Sequence, residues 1–170
     1  RSAFAQELFK AEQYVDMVLG YLRLDSESTD YVLRDTDLDG LLRQAVREFA
    51  RMVILKKITL DFQETGKTVL TDEKWLLFVV EQVLSNALKY TREGSITITM
   101  EHPKTLVIRD TGIGIAPEDL PRIFEKGYTG YNGRGDQKAS GLGLYLCRTI
   151  CRKLGHSITA ESAPDEGTAI

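Results

Sequence analysis

The sequence is poor in the residues that build metal centres and covalent frameworks. It has two cysteines, Cys147 and Cys151, and two histidines, His102 and His156, in 170 residues. That is too few for a zinc site, and cysteines one helical turn apart argue against a disulfide framework and for a reduced, cytosolic compartment. Long apolar runs are missing too. The longest is Trp75 to Val80, far short of the roughly 20 residues that a helix needs to cross a bilayer. No block of one charge sign stands out: 22 basic against 25 acidic side chains leave a net charge of −3, which offers no surface to a polyanion and excludes nucleic acid as the primary partner. The chain opens Arg1-Ser2 with no initiator Met, no cationic-then-apolar leader and no lipidation signal, so it is expected to be a piece of something longer. What remains, 42% hydrophobic and 28% charged residues, suits one globular domain with a short appendage.

Periodicity sets out the elements. Phe4, Leu8, Ala11, Val15, Val18 and Leu22 recur at alternating spacings of four and three, the seam of a helix that packs on other helices, with no second helix beside it in the sequence to bury it. Residues 25–36 are polar and read as a linker, leading to an N-cap near Asp37 and a helix from Leu38 to about Leu55. Ile58 to Phe62 and Lys67 to Thr71 are β-prone runs separated by Glu64-Thr65-Gly66, a hairpin or a loop between neighbouring strands. From Asp72 to Tyr90 the pattern is helical, with Leu76, Val79, Val80, Val83, Leu84 and Ala87 on one broad core face. Ser95 to Met100 and Thr105 to Arg109 alternate as antiparallel strands around Pro103-Lys104, Leu142 to Leu154 is helical, and Ser157 to Glu161 and Gly167 to Ile170 return to strand. The expected class is α+β: a two-layer α/β sandwich with helices on one face of a mixed, mainly antiparallel sheet.

Three clusters carry chemistry. Gln82, Asn86 and Lys89 stand at i, i+4 and i+7, one polar stripe beside the apolar face of their helix, with Tyr90 at its border. Alone, such a stripe is an ordinary solvated edge. An amide oxygen, an ammonium and an aromatic ring together nevertheless suit a magnesium, phosphate and purine ligand. Asp110-Thr111-Gly112-Ile113-Gly114-Ile115 sends an acid out of a strand into a turn that two glycines let pass close to a flat ligand, where the carboxylate can accept from an exocyclic amine. Gly141-Leu142-Gly143 opens a helix whose free N–H groups and positive dipole end suit a phosphate. Eight of the 14 glycines fall between Asp110 and Gly143, so close ligand approach is concentrated there.

Taken in order, these pieces resemble the catalytic, ATP-binding domain of bacterial sensor histidine kinases. Glu81-Gln82-Val83-Leu84-Ser85-Asn86-Ala87-Leu88-Lys89-Tyr90-Thr91 is similar to the N box and Asp110 to Ile115 to the first glycine box. Ile123-Phe124-Glu125-Lys126-Gly127 is similar to the F box, Ser140-Gly141-Leu142-Gly143-Leu144 to the second glycine box, and Gly167-Thr168 to the closing pair. The resemblance covers residues 37–170. It implies that residues 1–24 are the second helix of a dimerisation and phosphoacceptor hairpin and that 25–36 link the two. The wording FEKGYTGYNGR further resembles kinases that monitor peptide-antibiotic transporters, such as bacitracin sensors.

Carried over residue by residue, the resemblance implies that Asn86 ligates Mg²⁺ through its amide oxygen. Gln82 stands where such kinases commonly place a second Asn, so its longer amide would serve metal or water. Lys89 would meet the phosphates of ATP, Tyr90 would pack on the adenine, and Asp110 would accept from the adenine amine while Gly112 and Gly114 line the base. Gly141, Leu142 and Gly143 would belong to the phosphate end, with Thr168 of the closing pair also in the nucleotide site. Lys126 and Arg134 would offset γ-phosphate charge from a mobile lid.

Neither histidine fits a phosphoacceptor, which should stand on a helix beside an acid: His102 precedes Pro103 and His156 precedes a strand. The acceptor would therefore belong to a helix outside this sequence. The implied partners are ATP, the protein's own dimerisation and phosphoacceptor helices and a response regulator receiver domain. The implied setting is a homodimer forming the cytoplasmic part of a membrane-bound bacterial sensor. Two rivals stand beside this. An ATP-hydrolysing machine of the gyrase, mismatch-repair or chaperone kind would place a water-activating Glu one turn before the magnesium Asn, where this chain has Gln82, and Glu81 is rotated about 100° around the helix. A nucleotide-sensing module would bind ATP without transferring it.

Overall fold

A computed structural model describes residues 2–24, 31–128 and 142–170. Among them the elements run α1 (Ser2–Leu24), β1 (Arg34–Asp37), α2 (Leu38–Leu55), β2 (Thr59–Phe62), β3 (Thr68–Thr71), α3 (Glu73–Tyr90), β4 (Ser95–His102), β5 (Thr105–Asp110), α4 (Gly143–Leu154), β6 (Glu161–Ala163) and β7 (Gly167–Ala169), with a 3₁₀ turn at Leu120–Arg122. The main sheet has the order β2-β4-β5-β7-β6. Its β2–β4 pair is parallel and the rest antiparallel, and helices pack on it, as the apolar patterning predicts. No helix among the described residues is long and apolar enough to cross a membrane.

The core forms where the apolar stripes of α2 and α3 meet the inward residues of β4 and β5. Leu41, Leu42, Ala45 and Phe49 of α2 are buried against Val83, Leu84 and Ala87 of α3, with Ile96, Ile98 and Ile108 from the sheet. α2 starts at the extended residue Asp37. Asp39 in its first turn takes the N–H (2.7 Å) and hydroxyl (2.8 Å) of Thr65 on Oδ1 and the N–H of Gly66 (2.8 Å) on Oδ2. Burial alone would raise the pKa of that carboxyl, but these donors outweigh it and hold Asp39 below the ordinary range.

The two β-prone runs on either side of that loop are not neighbours. β2 joins β4 in the main sheet, whereas β3 pairs antiparallel with β1 in a separate two-stranded sheet. β1 takes up the last three residues of the stretch read as linker, together with Asp37. Four-residue strands carry no register information of their own, so which edge each one joins is settled by the grip of Asp39 on the intervening loop and by the core that Phe62 and Val69 both reach. The strand expected from Ser157 begins only at Glu161.

A second cluster joins Trp75 and Val79 of α3 to Leu146, Cys147, Ile150, Cys151 and Leu154 of α4, with Met17 of α1. Both cysteines are buried and free. Burial raises both thiols, that of Cys151 to about 11, which makes them inert packing groups. α1 rests on the domain through Phe9, edge-on to Phe49 at 5.4 Å, and through Gly20, where a Cβ would lie 2.9 Å from the Phe78 ring. Its expected seam stays uncovered: Phe4, Leu8, Val15 and Leu22 are all exposed.

Candidate functional site

Asp110 ends β5 almost fully buried. Its Oδ1 accepts from the N–H of Gly112 at 2.9 Å and the N–H of Thr168 at 3.2 Å, which ties the first glycine box to the closing Gly-Thr pair. Burial raises the pKa of this carboxyl, while the two amides oppose the rise. The glycines are required by what surrounds them. A Cβ on Gly112 would strike the Tyr90 carbonyl and lie 2.9 Å from both Asp110 Oδ1 and Thr91 Oγ1, and one on Gly114, whose φ is +72°, would land on the carbonyl of Ala163. Ser162 closes the floor: its Oγ accepts from the Ile115 N–H (2.8 Å), donates to the Gly167 carbonyl (2.7 Å) and meets Thr168 Oγ1 at 2.9 Å. The ends of α3 and β5 and the β6–β7 hairpin thus build one rigid ledge beside Asp110.

The polar stripe of α3 is graded from core to solvent. Gln82 is buried, Asn86 half-buried and Lys89 exposed. Gln82 Oε1 lies 3.1 Å from where a Cβ on Gly143 would sit, so the N-box helix and the start of α4 are brought together there. Leu142 immediately precedes α4 and Gly143 is its first residue. Lys89 Nζ lies 5.3 Å from the centre of the Tyr90 ring. The F-box residues pack on α4, with Lys126 Nζ 6.0 Å from the Tyr145 ring and the Arg148 guanidinium 5.9 Å from that of Phe124. Arg134 and Gly141 lie outside the described residues.

Residues 71–170 match the family described as histidine kinase-, DNA gyrase B- and HSP90-like ATPase. The chain belongs to that family. It is similar to Sensor histidine kinase GraS of Staphylococcus haemolyticus, at 35% identity over 99% of this chain and 50% of the relative. It is also similar to Sensor protein BceS of Halalkalibacterium halodurans, at 36% identity over 95% of this chain and 49% of the relative. The chain spans about half the length of these curated relatives. Among solved structures, full-length ShkA in complex with AMPPNP superposes with a TM-score of 0.78 at 25% identity, covering 98% of this chain and 36% of that one. The resemblance to sensor histidine kinases drawn from the ordered boxes therefore holds.

Within this ATPase fold the remaining titratable groups fall away from the ledge. His102 is exposed at the end of β4. His156 follows the C-cap of α4, where its Nε2 lies 3.0 Å from Thr71 Oγ1 and burial lowers its pKa. Neither stands on a helix. Glu81 is half-buried, and burial followed by the negative charges of Glu48 on α2 and Asp16 on α1 raises its carboxyl to about 7. Those neighbours set it on the α1–α2 side of α3, whereas Gln82 meets Gly143 of α4.

Two residues of the ledge escape sequence reasoning. Ser162 belongs to no motif, and only the folded hairpin brings it to Ile115 and Thr168. Thr91 closes the N box as a small polar residue after a helix, yet it is fully buried and its hydroxyl has no partner.

Proposed function

We propose that the chain is the ATP-binding catalytic part of a two-component sensor histidine kinase, transferring the γ-phosphoryl group of ATP to a histidine on a dimerisation helix. The observation that carries this reading is the buried Asp110 carboxylate. Two backbone amides occupy Oδ1 and fix the group, which leaves Oδ2 to accept from the adenine amine over the bare backbone of Gly112 and Gly114. Tyr90 borders the base and Thr168 anchors the far side of the ledge. At the other end, Gln82 Oε1 faces Gly143, Asn86 stands one turn further along α3, and the first turn of α4 would offer N–H groups to the phosphates.

The residues present fit Mg²⁺ on one condition. Among the described residues no group of three or more His, Cys, Asp or Glu is placed to hold a metal, so the ion would be shared between the Asn86 amide, assisted by Gln82, and the nucleotide's own phosphates. That is the manner in which this small, reluctantly dehydrated cation is usually held. Bound there, it offsets phosphate charge. Lys89, Lys126 and Arg134 are assigned the same electrostatic task.

The transfer is an in-line displacement: an imidazole nitrogen forms the new bond to the γ-phosphorus, the bridging oxygen to the β-phosphorus leaves with its electron pair, and ADP departs. The exposed stripe of α1 suits the helices of a dimerisation hairpin and supports a homodimer for the intact protein. A response regulator receiver domain then takes the phosphoryl group on the cytoplasmic side of a membrane-bound sensor. Hydrolysis is disfavoured by position. Glu81, near neutral in pKa, has the chemistry of a base but lies with Glu48 and Asp16, and Gln82, which faces α4, cannot take a proton at neutral pH.

Incubation with labelled ATP and a separately made acceptor-helix hairpin tests the reading. The expected product is hairpin label that is labile in acid and stable in base, the mark of a phosphorus–nitrogen bond. Stable label on His102 or His156, or rapid ADP release without acceptor, overturns it.

A further inference from the structure

Of the described residues of α1, only Met17 and Gly20 are buried. Met17 lies in the cluster that joins Trp75 and Val79 of α3 to Leu146 of α4. Its Sδ is 3.9 Å from the point that a Cβ on Gly143 would occupy, and Gln82 Oε1 is 3.1 Å from the same point. The open side of Gly143 is thus walled by a thioether from α1 and an amide oxygen from α3. Gly20 rests on the Phe78 ring, which stands edge-on to Trp75 at 6.2 Å. Tyr31 packs on the same cluster, 5.9 Å from the Trp75 ring, so the chain before and after residues 25–30 is held to one patch.

The same seat carries repulsion. Burial, and then the charges of Glu48 and Asp16, lifts Glu81 to about 7; burial, and then Lys10, holds Lys56 below the ordinary lysine range. α1 therefore brings an acid up to two acids and a base up to a base, juxtapositions that cost energy in an interface. Apolar anchors opposed by like charges make a contact that can be released.

Resting on the nucleotide reading given above, we propose that α1 is an autoinhibitory strap: seated, its Met17 occupies the approach to Gly143, so that ATP binds more weakly and, once bound, drives α1 off. A thioether beside a polyanion strips water from it and returns no hydrogen bond. The coupling is reciprocal, so whatever factor the seated helix takes from ATP affinity, ATP takes from the seat. The base end, at Asp110 and its glycines, is left out of the competition.

Hydrogen exchange on the unaltered chain tests this first. A non-hydrolysable ATP analogue should quicken exchange at the α1 amides, and adenosine, which lacks the phosphates, should not. Gly20→Leu drives a side chain into the Phe78 ring while favouring helix within α1. It should unseat α1, shift the emission of Trp75, the only tryptophan, to the red, and bind ATP about tenfold more tightly. Asp16→Lys turns repulsion into attraction towards Glu81 and Glu48, and should slow α1 exchange and weaken ATP by about fivefold. Neither residue belongs to the nucleotide site, and adenosine affinity should not change in either variant. Exchange in α1 that stays the same or slows when the ATP analogue binds overturns the inference without any variant having to fold. So do variants that leave ATP affinity unaltered, or that shift ATP and adenosine alike. An unaltered chain that binds no ATP overturns the nucleotide reading itself, and this inference with it.

Discussion

Gln82 and Gly143 touch across the site: the Oε1 of the buried glutamine lies 3.1 Å from the point that a Cβ on the glycine would occupy. The contact joins the amide stripe of α3 to the first residue of α4, and its tightness makes the two boxes one unit. Gly143→Ala should therefore separate stability from binding. The new methyl group needs only a few tenths of an ångström from a flexible side chain, and alanine favours helix by up to about 1 kcal/mol, so the melting temperature should stay within a few degrees. The shift falls where phosphates meet α4, and ATP affinity should drop about tenfold, as for the loss of one good hydrogen bond. Calorimetric titration and a thermal melt on the same sample check both halves.

Gly114 and Gly155 form a matched pair, with φ of +72° and +78°. A Cβ on Gly155 would meet nothing within 4 Å, whereas one on Gly114 would land on the Ala163 carbonyl. Gly155→Ala should cost about 1 kcal/mol, the strain of a left-handed residue alone. Gly114→Ala should cost about 3 kcal/mol, because the β6–β7 hairpin must also move away from the glycine box. Urea denaturation of the two variants measures the difference, and equal losses would mean that the ledge is not packed as described.

Much of this was legible in the sequence, for reasons that also set its limits. The spans of α2 and α3 follow from long apolar stripes; Asp37, expected to cap α2, precedes it without a side-chain capping bond, whereas Asp72 Oδ1, not read as a cap, accepts from the Trp75 N–H at 3.1 Å. The positions of Asp110, Gly112 and Gly114 follow from ordered boxes, since each box states a backbone requirement that neighbouring residues reveal. The partners of β2 and β3 were not legible, because four-residue strands alternate identically on any edge. Nor were the roles of Ser162 and Thr91. Ser162 acts on Ile115 across a large gap in sequence, and burial of the Thr91 hydroxyl is fixed by the backbone of Gly112, which no spacing rule records.

His156 links the end of α4 to β3 through Thr71, a fully buried residue. Burial holds the folded pKa of this histidine below the ordinary value of 6.5, so the unfolded chain takes up its proton first as the pH falls. Its contribution is complete above about pH 6.5 and is lost as the pH drops from there through the folded pKa. Stability should decline on acidification across that window by at most about 1.4 kcal/mol per pH unit from this one group. His156→Gln, which can still bond Thr71 but does not titrate, should flatten the decline. Denaturation curves at half-unit steps from pH 7.5 to about 5 decide it, and an unchanged slope in the variant would place the acid sensitivity elsewhere.

Asn86 is half-buried one helical turn beyond Gln82, where its amide oxygen is the assigned protein ligand for Mg²⁺. A hard cation that draws most of its oxygens from phosphates and water is tied to the protein chiefly through that amide oxygen, which links it both to the site and to the nucleotide. Asn86→Ala should therefore leave metal-free ATP binding within about twofold, since Asp110 and the glycine ledge are untouched, and should remove most of the further affinity that Mg²⁺ confers. Phosphoryl transfer should fall much further than binding, because misplacing the γ-phosphate costs rate even when the nucleotide stays bound. Titrations with and without Mg²⁺ separate the two effects. Asn86→Asp is the sharper control: a carboxylate keeps an oxygen for the metal and adds a charge that repels the bare nucleotide, so ATP should bind more weakly than in the parent without Mg²⁺ and recover when the ion is added. A variant at Asn86 that keeps the parent's full dependence on Mg²⁺ would remove this residue from the metal site and shift the assignment to the buried amide of Gln82.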